Sequence, residues 1–513
     1  MSNSAEGRYQ QLASARQPFL DRARDASKLT IPTLVPPDGS GPHTKYYTPY
    51  QGMGARGVNN LAAKLLLALL PPNSPFFRMV IDDFMMEKLT QQQGMRGEVE
   101  KAFNKIERSV MTEIEATAIR VPAFEALKQL ITAGNVLCFL PTSGGMRVFR
   151  LDRYVVHRDP MGNVLEIITK EDISPDVLPD DFRKALPKNA MTGTVDKSVS
   201  LFTHVVRKNK SWEVYQEVKG RIIPGSTGSY PLDKNPWLPL RWTKIDGEDY
   251  GRGYVEEYLG DLRSLEALSA AIVEGSAAAA KVLFLVDPNG TTRQQVLTDS
   301  PNGAVRAGRK DDVSVLQVEK FNDFRVALET VSRIEQRLAA AFLLATSVQR
   351  DAERVTAEEI RIMAGELNDA LGGVYSIMSQ EFQLPLVDNM MWRLERQGKL
   401  PPLPKGVVRP AITTGLEALG RGHDQTKLNR FLATIMQLPP EMVAQYLNVA
   451  EFITRAGVSE GIDMAGLIRS QEEVAQAQEQ AQMQHMIDTL GPKGMDIVRD
   501  QLDPSKNGEA AQA

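Results

Sequence analysis

Carboxylate pairs are the first residues along this chain whose type and spacing suggest chemistry. Asp82-Asp83, Asp180-Asp181 and Asp311-Asp312 could each contribute ligands to a two-metal nuclease centre. Adjacent carboxylates alone are also common features of a solvated surface, and that reading is preferred for all three. Gly52-Met-Gly-Ala-Arg-Gly57 spells a dinucleotide fingerprint, but a true one follows an apolar strand, and here Tyr46-Tyr-Thr-Pro-Tyr-Gln51 precedes it. It reads as a loop entering a helix over 58–70. Gly457-Val-Ser-Glu-Gly461 spells a nucleophile elbow, yet 444–456 before it is helical in pattern, and only His485 follows as a base. No Gly-x-x-x-x-Gly-Lys-Ser/Thr loop is present to cradle ATP. The five histidines, at 43, 157, 204, 423 and 485, lack metal-ligand spacing. Cys138 is the only cysteine, which excludes an intrachain disulfide and a zinc cluster and points to a buried thiol in a reducing compartment. The expectation is no catalytic centre, no cofactor and no metal.

The elements that would position any site are numerous. At 513 residues the chain suits two to four domains of roughly 150 residues each. Its 60 Lys and Arg against 64 Asp and Glu give a formal charge of −4, so no global basic field grips nucleic acid, and any DNA contact must be local or weak. The N-terminus mixes arginines with Glu6, Asp21 and Asp25 and has no apolar core, unlike a secretory signal. The most apolar runs, 61–70 and 277–286, contain Lys64 and Lys281 and fall short of the roughly 20 residues of a membrane span.

Prolines at 32, 36, 37, 42 and 49 predict an extended arm after a short polar helix. Val99, Phe103, Ile106, Val110 and Ile114 recur at helical spacing, and a second helix from Ala123 should stop at Gly134. From 146 to 244 the texture is β-rich, with strand-like runs at 147–151, 164–168, 201–206 and 212–218. Helix returns past Gly253, with Val255, Leu262, Leu265, Leu268 and Ile272 on one stripe. That helix ends in Gly275-Ser276-Ala277-Ala278-Ala279-Ala280, whose small side chains suit close packing in a ring of helices, although a plain Ala-rich helix needs no such role. Two Pro-Asn-Gly turns, at 288–290 and 301–303, mark a compact β insertion before a helix over about 323–345. Thr356-Ala-Glu-Glu359 is a capping box opening a long helix, which Gly372-Gly373 and Pro385 should bend or interrupt. A helical region follows from Asp424 to about Leu490.

Between two of these helices lies Gln349-Arg-Asp-Ala-Glu-Arg354. As a monomer's loop it is an ordinary solvated connection. Repeated around a ring, Arg350 and Arg354 would touch phosphates while Asp351 and Glu353 kept the attraction weak, which suits a moving polymer.

Asp246-Gly-Glu-Asp-Tyr-Gly-Arg-Gly-Tyr-Val-Glu-Glu-Tyr-Leu-Gly-Asp-Leu-Arg-Ser-Leu-Glu266 closely resembles the portal (head-to-tail connector) family of short-tailed, autographivirus-type (podovirus) double-stranded DNA phages. Gly54-Ala-Arg-Gly-Val-Asn-Asn-Leu-Ala62, Phe124-Glu-Ala-Leu-Lys-Gln-Leu130, Arg354-Val-Thr-Ala-Glu-Glu-Ile-Arg361, Leu371-Gly-Gly-Val-Tyr-Ser376 and Thr414-Gly-Leu-Glu-Ala-Leu-Gly-Arg-Gly422 match in the same order, and the resemblance spans about 8–470. It implies a helix-rich α+β portal fold: wing 1–250, first stem helix 251–283, clip 284–318, second stem helix 319–346, tunnel loop 347–355, a kinked wing helix and return segment 356–423, a helical crown 424–490 and a disordered tail 491–513. It further implies a cyclic, dodecameric homo-oligomer in the virion at one capsid vertex, assembled in the host cytoplasm, that is no enzyme. The implied partners are non-specifically bound double-stranded DNA in the channel, the terminase large subunit, scaffolding protein, major capsid protein, tail adaptor protein and internal core proteins. Candidate residues are Arg350, Asp351, Glu353 and Arg354 for the tunnel loop, Gly275 to Ala280 for packing between stems, and Arg306, Arg309 and Lys310 for docking partners at the clip. The alternatives are a scaffold or minor capsid protein without a channel, and a packaging-associated nuclease or ATPase.

Overall fold

In the computed structural model of the chain, residues 4–41, 43–72, 75–81, 95–185, 198–279, 283–301, 303–316, 321–344, 371, 373–401 and 408–412 are described. All belong to the first of two units, Met1–Leu419. The tunnel loop, the capping box at 356–359, the Gly-x-Ser-x-Gly run, the crown and the tail lie outside the described residues.

Helix α1 (Ala5–Lys28) is longer than its polar composition suggests. Its buried face is a narrow stripe of Ala5, Tyr9, Leu12, Arg16, Leu20 and Ala23, and the arginine inside that stripe disguises it in the sequence. Ser4 caps the first turn by accepting from Gly7 N at 3.1 Å, and the Glu217 carboxylate accepts from Ala5 N at 2.9 Å, placing negative charge at the positive end of the helix dipole. The Pro-rich stretch after it is irregular, as its composition predicts, and leads into α2 (Met53–Leu69). Strand β1 (Phe77–Ile81) precedes α3 (Met95–Ala116), which buries Ile106, Val110 and Ile114, and α4 (Arg120–Ala133). Gly134 ends α4 in the left-handed region at φ 72°, where a side chain would also strike the Arg252 backbone.

Two sheets follow from the β-rich texture. Strands β2 (Asn135–Phe139) and β3 (Arg147–Phe149) pair with each other, β4 (Tyr154–Arg158), β5 (Val164–Ile173), β6 (Val199–Arg207), β7 (Ser211–Val218) and β8 (Arg221–Ile222) form an antiparallel meander, and β9 (Gly228–Pro231) also pairs with β7. Strand β10 (Trp237–Arg241) returns to β2, pairing Leu238 with Cys138. Cys138 is fully buried there, and burial pushes its thiol up to about 12, so it is unreactive at neutral pH. Helix α1 packs on the meander through Tyr9, Leu12, Val155, Ile168 and Phe202.

Helices α5 (Leu259–Ala279) and α6 (Phe321–Ala341) flank an insertion made of β11 (Leu283–Val286) and β12 (Val313–Leu316). Pro385 coincides with an irregularity in the later helix, as expected. It opens α7 (Leu384–Arg396) directly after a π-helical turn, Ser379–Gln383, and this wider turn absorbs the missing proline N–H while the helix runs on. Strand β13 (Val408–Ile412) then pairs with β1.

A buried carboxylate joins α1 to the meander. Glu166 accepts from Arg8 at 2.9 Å and from His204 Nε2 at 2.7 Å. Burial alone would raise its pKa, but the hydrogen bonds and charges of His204 and Arg8 outweigh it and hold the carboxyl at about 2. A folded value below the unfolded one of about 4.3 stabilises the fold above that pH, and the contribution disappears as pH falls towards 2. Glu166→Gln is therefore expected to destabilise by about 1–3 kcal/mol at pH 7. In denaturation curves taken at several pH values, its deficit against wild type should shrink below about pH 4.

Candidate functional site

The outstanding feature is the α5–α6 pair, because its two ends have opposite environments. Near the core, Leu262 and Leu265 of α5 and Ile334 and Leu338 of α6 are buried in the main apolar cluster. Asp261 of α5 pairs with Arg337 of α6 at 2.7 Å, while at the far end Gly275 lies against Phe324, so the helices are antiparallel. A methyl group on Gly275 would sit 2.7 Å from the Phe324 ring, which gives this glycine a role inside the chain. Its neighbours Ser276, Ala277 and Ala278 are exposed, and Ala280 lies outside the described residues. The far half also exposes Val273 (53%) on α5, with Val326 (62%) and Leu328 (54%) on α6. Apolar side chains are therefore exposed on both helices of the pair at this end.

The extended arm is strapped along α5. Glu266 is buried and accepts from the Tyr47 hydroxyl, from Tyr50 N at 3.0 Å and from Gln51 N at 3.2 Å. The hydrogen bond from Tyr47 to this carboxylate pushes the phenol up to about 12. Tyr50 reaches about two turns further and donates to Glu274 at 3.1 Å.

In the insertion, Asp312 holds the fold together. Its Oδ2 accepts from the backbone N and the hydroxyl of both Thr291 and Thr292, at 2.8 to 3.0 Å. Burial acts to raise the Asp312 pKa, but these four bonds outweigh it and keep it below the ordinary carboxylate range. The Asp311-Asp312 pair is thus no free metal clamp, since Asp312 is consumed in tying 290–292 to the start of β12. Asp180, in another pair, is exposed and bound to Arg183, and Asp82-Asp83 lies outside the described residues. Among the described residues no cluster of three His, Cys, Asp or Glu could hold a metal. The clip candidates Arg306, Arg309 and Lys310 all lie in the exposed stretch 303–310, beside Val305, which is 97% exposed.

The glycines of the false dinucleotide fingerprint serve packing. A Cβ on Gly54 would meet Leu29 O at 2.3 Å, and one on Gly57 would meet the Phe342 ring at 2.6 Å. Phe342 is fully buried just past the end of α6, against Tyr254 and Tyr258. The last carbonyls there are all received: Tyr254 Oη donates to Ala341 O at 2.8 Å, Asn60 Nδ2 to Phe342 O at 2.9 Å and Leu343 O at 3.1 Å, and Lys64 Nζ to Leu343 O at 3.1 Å. These residues fix the point from which 345–355 departs. Sequence reasoning missed them. Their only signal is position, since Asn60 and Tyr254 fall inside the two quoted runs at 54–62 and 246–266. Arg350, Asp351, Glu353 and Arg354 themselves lie outside the described residues.

A family model described as bacteriophage head to tail connecting protein matches residues 2–468. The portal protein of Escherichia phage T7 is 43% identical, with 95% of this chain and 92% of that protein covered. The portal protein of Enterobacteria phage T3 is 44% identical, covering 92% and 89%, and that of Pseudomonas phage phiKMV is 30% identical, covering 90% and 91%.

The anchoring of α6 can be tested directly. Asn60→Ala removes the Asn60 donor from the part-buried Phe342 and Leu343 carbonyls, the latter keeping Lys64, and is expected to lower stability by about 1–2 kcal/mol in chemical denaturation. Trypsin should then cut more readily just after α6, at sites within 345–355.

Proposed function

The chain belongs to the bacteriophage head-to-tail connecting proteins, and on that premise we propose that it is the structural ring subunit forming the channel through which DNA enters and leaves the phage head. It is a connector and not an enzyme, as its family and the names of its relatives have it. It acts in the virion at the head-to-tail junction, one capsid vertex, after assembly in the host cytoplasm.

The observation that carries the ring is the uncovered outer half of the α5–α6 pair. Val273, Val326, Leu328 and the small side chains of 276–278 leave apolar, low-relief surface on the two helices; Val326 and Leu328, two residues apart on one helix, point to different sides, so a different face of a neighbouring copy buries each. A head-to-tail contact of this kind closes into a ring, here a dodecamer. In that ring, 1–250 forms the wing, the helix pair the stem, 284–318 the clip, 347–355 the tunnel loop and 424–490 the crown, with 356–423 returning through the wing.

The channel contacts DNA without gripping it. The overall charge of −4 supplies no basic field, and Arg350 and Arg354 are offset by Asp351 and Glu353. Tight phosphate contacts would each have to break as the duplex advances, so weak and balanced ones permit movement. The exposed stretch bearing Arg306, Arg309 and Lys310 is the docking point for the terminase large subunit during packaging and later for the tail adaptor. Scaffolding protein, major capsid protein and internal core proteins meet the wing and crown. The fate of Asp312 weighs against the nuclease reading.

Electron microscopy and light scattering of the purified protein should show a closed ring with a hole wide enough for duplex DNA; monomer or dimer under all conditions sinks the proposal. Val326→Asp with Leu328→Asp is expected to leave the single chain folded while blocking ring closure. Arg350→Ala with Arg354→Ala should assemble normally and change DNA packaging or retention, whereas collapse of the ring would make these arginines interface residues.

A further inference from the structure

An open cavity of about 300 Å³ lies between α1, the arm at 36–40 and the segment 150–153, far along the chain from every residue assigned a role in the channel. Five cations line it: Arg16, Arg24, Arg150, Arg153 and Lys170. Only two carboxylates, Asp38 and Asp152, share the wall. Three of the cations are already matched. Arg24 donates to Asp38 at 2.8 Å, Arg150 pairs with Asp152 at 3.1 Å, and Arg153 pairs with Asp172 at 2.6 Å. Arg16 and Lys170 make no ion pair among the described residues.

Arg16 is the more telling of the two. It is 5% exposed, and its Nη1 donates to Tyr9 Oη at 3.1 Å, Leu151 O at 3.0 Å and Tyr154 O at 2.7 Å. These neutral acceptors orient the guanidinium but bring no negative charge, and its Nε has no hydrogen-bond partner. Ser40 Oγ, on the arm, is likewise buried without a partner. A buried charge is retained when something of opposite sign answers it, and among the described residues no carboxylate pairs with Arg16. Arg16 and Lys170 thus leave two cations without an ion pair on a concave surface, where low-dielectric walls concentrate the field on an incoming anion.

We propose that this cavity binds a phosphate group. A phosphate monoester carries close to two negative charges at neutral pH and a diphosphate more, so either answers Arg16 and Lys170 together, whereas a carboxylate or a backbone diester phosphate, with one charge, answers one of them. Its several oxygens also suit the guanidinium forks of Arg150 and Arg153, which can turn part of their donors from Asp152 and Asp172 to the ligand. The volume admits a small phosphate compound or a single backbone phosphate of a nucleic acid passing over the wall. Both present the same group.

The test is calorimetric titration of the full-length protein with sodium pyrophosphate in phosphate-free buffer. One site per chain is expected, weakened at least about tenfold by Lys170→Gln and abolished by Lys170→Glu, while Lys210→Gln on an exposed turn binds as wild type. Lys170 is only half-buried, so melting temperatures of its variants should match wild type and separate lost binding from lost fold. No saturable binding below about 10 mM, or binding indifferent to both Lys170 variants, overturns the proposal. A second arm titrates a short DNA duplex at the same ionic strength. Duplex binding that pyrophosphate displaces and Lys170→Glu removes supports the site and assigns it to a nucleic-acid backbone. Pyrophosphate binding lost in Lys170→Glu with duplex binding unchanged supports it and assigns it to a free phosphate compound.

Discussion

Two helices can leave a protein's core together only if the end that stays behind is held on every side. Here that end is the turn after α6, where Phe342 fills the space left by Gly57 and packs against Tyr254 and Tyr258. Three consecutive carbonyls, of Ala341, Phe342 and Leu343, are received by Tyr254, Asn60 and Lys64. A helix normally leaves its last carbonyls to water or to a cap. Burying this terminus therefore required donors from two other helical segments, and those donors tie α2, the start of the 254–279 helical stretch and the end of α6 into one joint. The direction of the helix pair, the placing of its insertion and the origin of the segment at 345–355 all follow from it.

Much of this could be read from the residues, and the limits of that reading have physical causes. The stripe Val255, Leu262, Leu265 was visible because period 3.6 survives wherever one helix face meets a core. Gly134 as a helix stop was visible because the left-handed conformation selects glycine. Helix α1 was underestimated because its buried stripe includes Arg16, a residue whose side chain composition alone counts as solvent-facing. Strand β2 was hidden in a short apolar run that periodicity cannot assign to helix or strand. Pro385 was legible as a place of irregularity because its missing N–H has to be absorbed, though that a π turn absorbs it was not. At the site, the small residues after Gly275 were legible as a pattern, but the contact of Gly275 with Phe324 joins positions 49 apart that no local pattern connects. The carbonyl donors at the joint were illegible for the same reason, Asn60 and Phe342 being 282 residues apart.

Charge in this chain is used mainly to lock segments to one another. Arg241 is buried and pairs with Glu381, which the π turn presents, and Glu381 also accepts from the Arg241 backbone N. Arg158 is buried nearby and donates to the carbonyls of Asp249, Gly162 and Pro239, with burial first and Arg241 second lowering its pKa to about 10. Such groups give little net stability compared with apolar replacements, yet breaking one partner is costly because the other is left charged in a low dielectric. They therefore act as fasteners that tolerate one geometry. The sheet region, the joint and the π turn are held in one arrangement, while the exposed halves of α5 and α6 carry a 2.7 Å surface pair between Arg333 and Glu329, the Tyr50–Glu274 hydrogen bond and the Gly275–Phe324 contact.

That division explains why a connector can work without chemistry of its own. Force transmitted along a moving duplex has to end on something that does not yield, and in this chain the fastened parts are the joint and the sheets behind it. A surface that meets other copies in a head-to-tail ring has to be the opposite: apolar, shallow and poor in fixed ion pairs, so that two different, complementary faces slide into register before they close. Val273, Val326 and Leu328 satisfy the second requirement, and Asn60, Lys64 and Tyr254 the first. Because α5 and α6 run from one region to the other, a displacement imposed on their outer halves has to pass through the buried Leu262, Leu265, Ile334 and Leu338 on its way to the carbonyl cluster at Ala341 to Leu343.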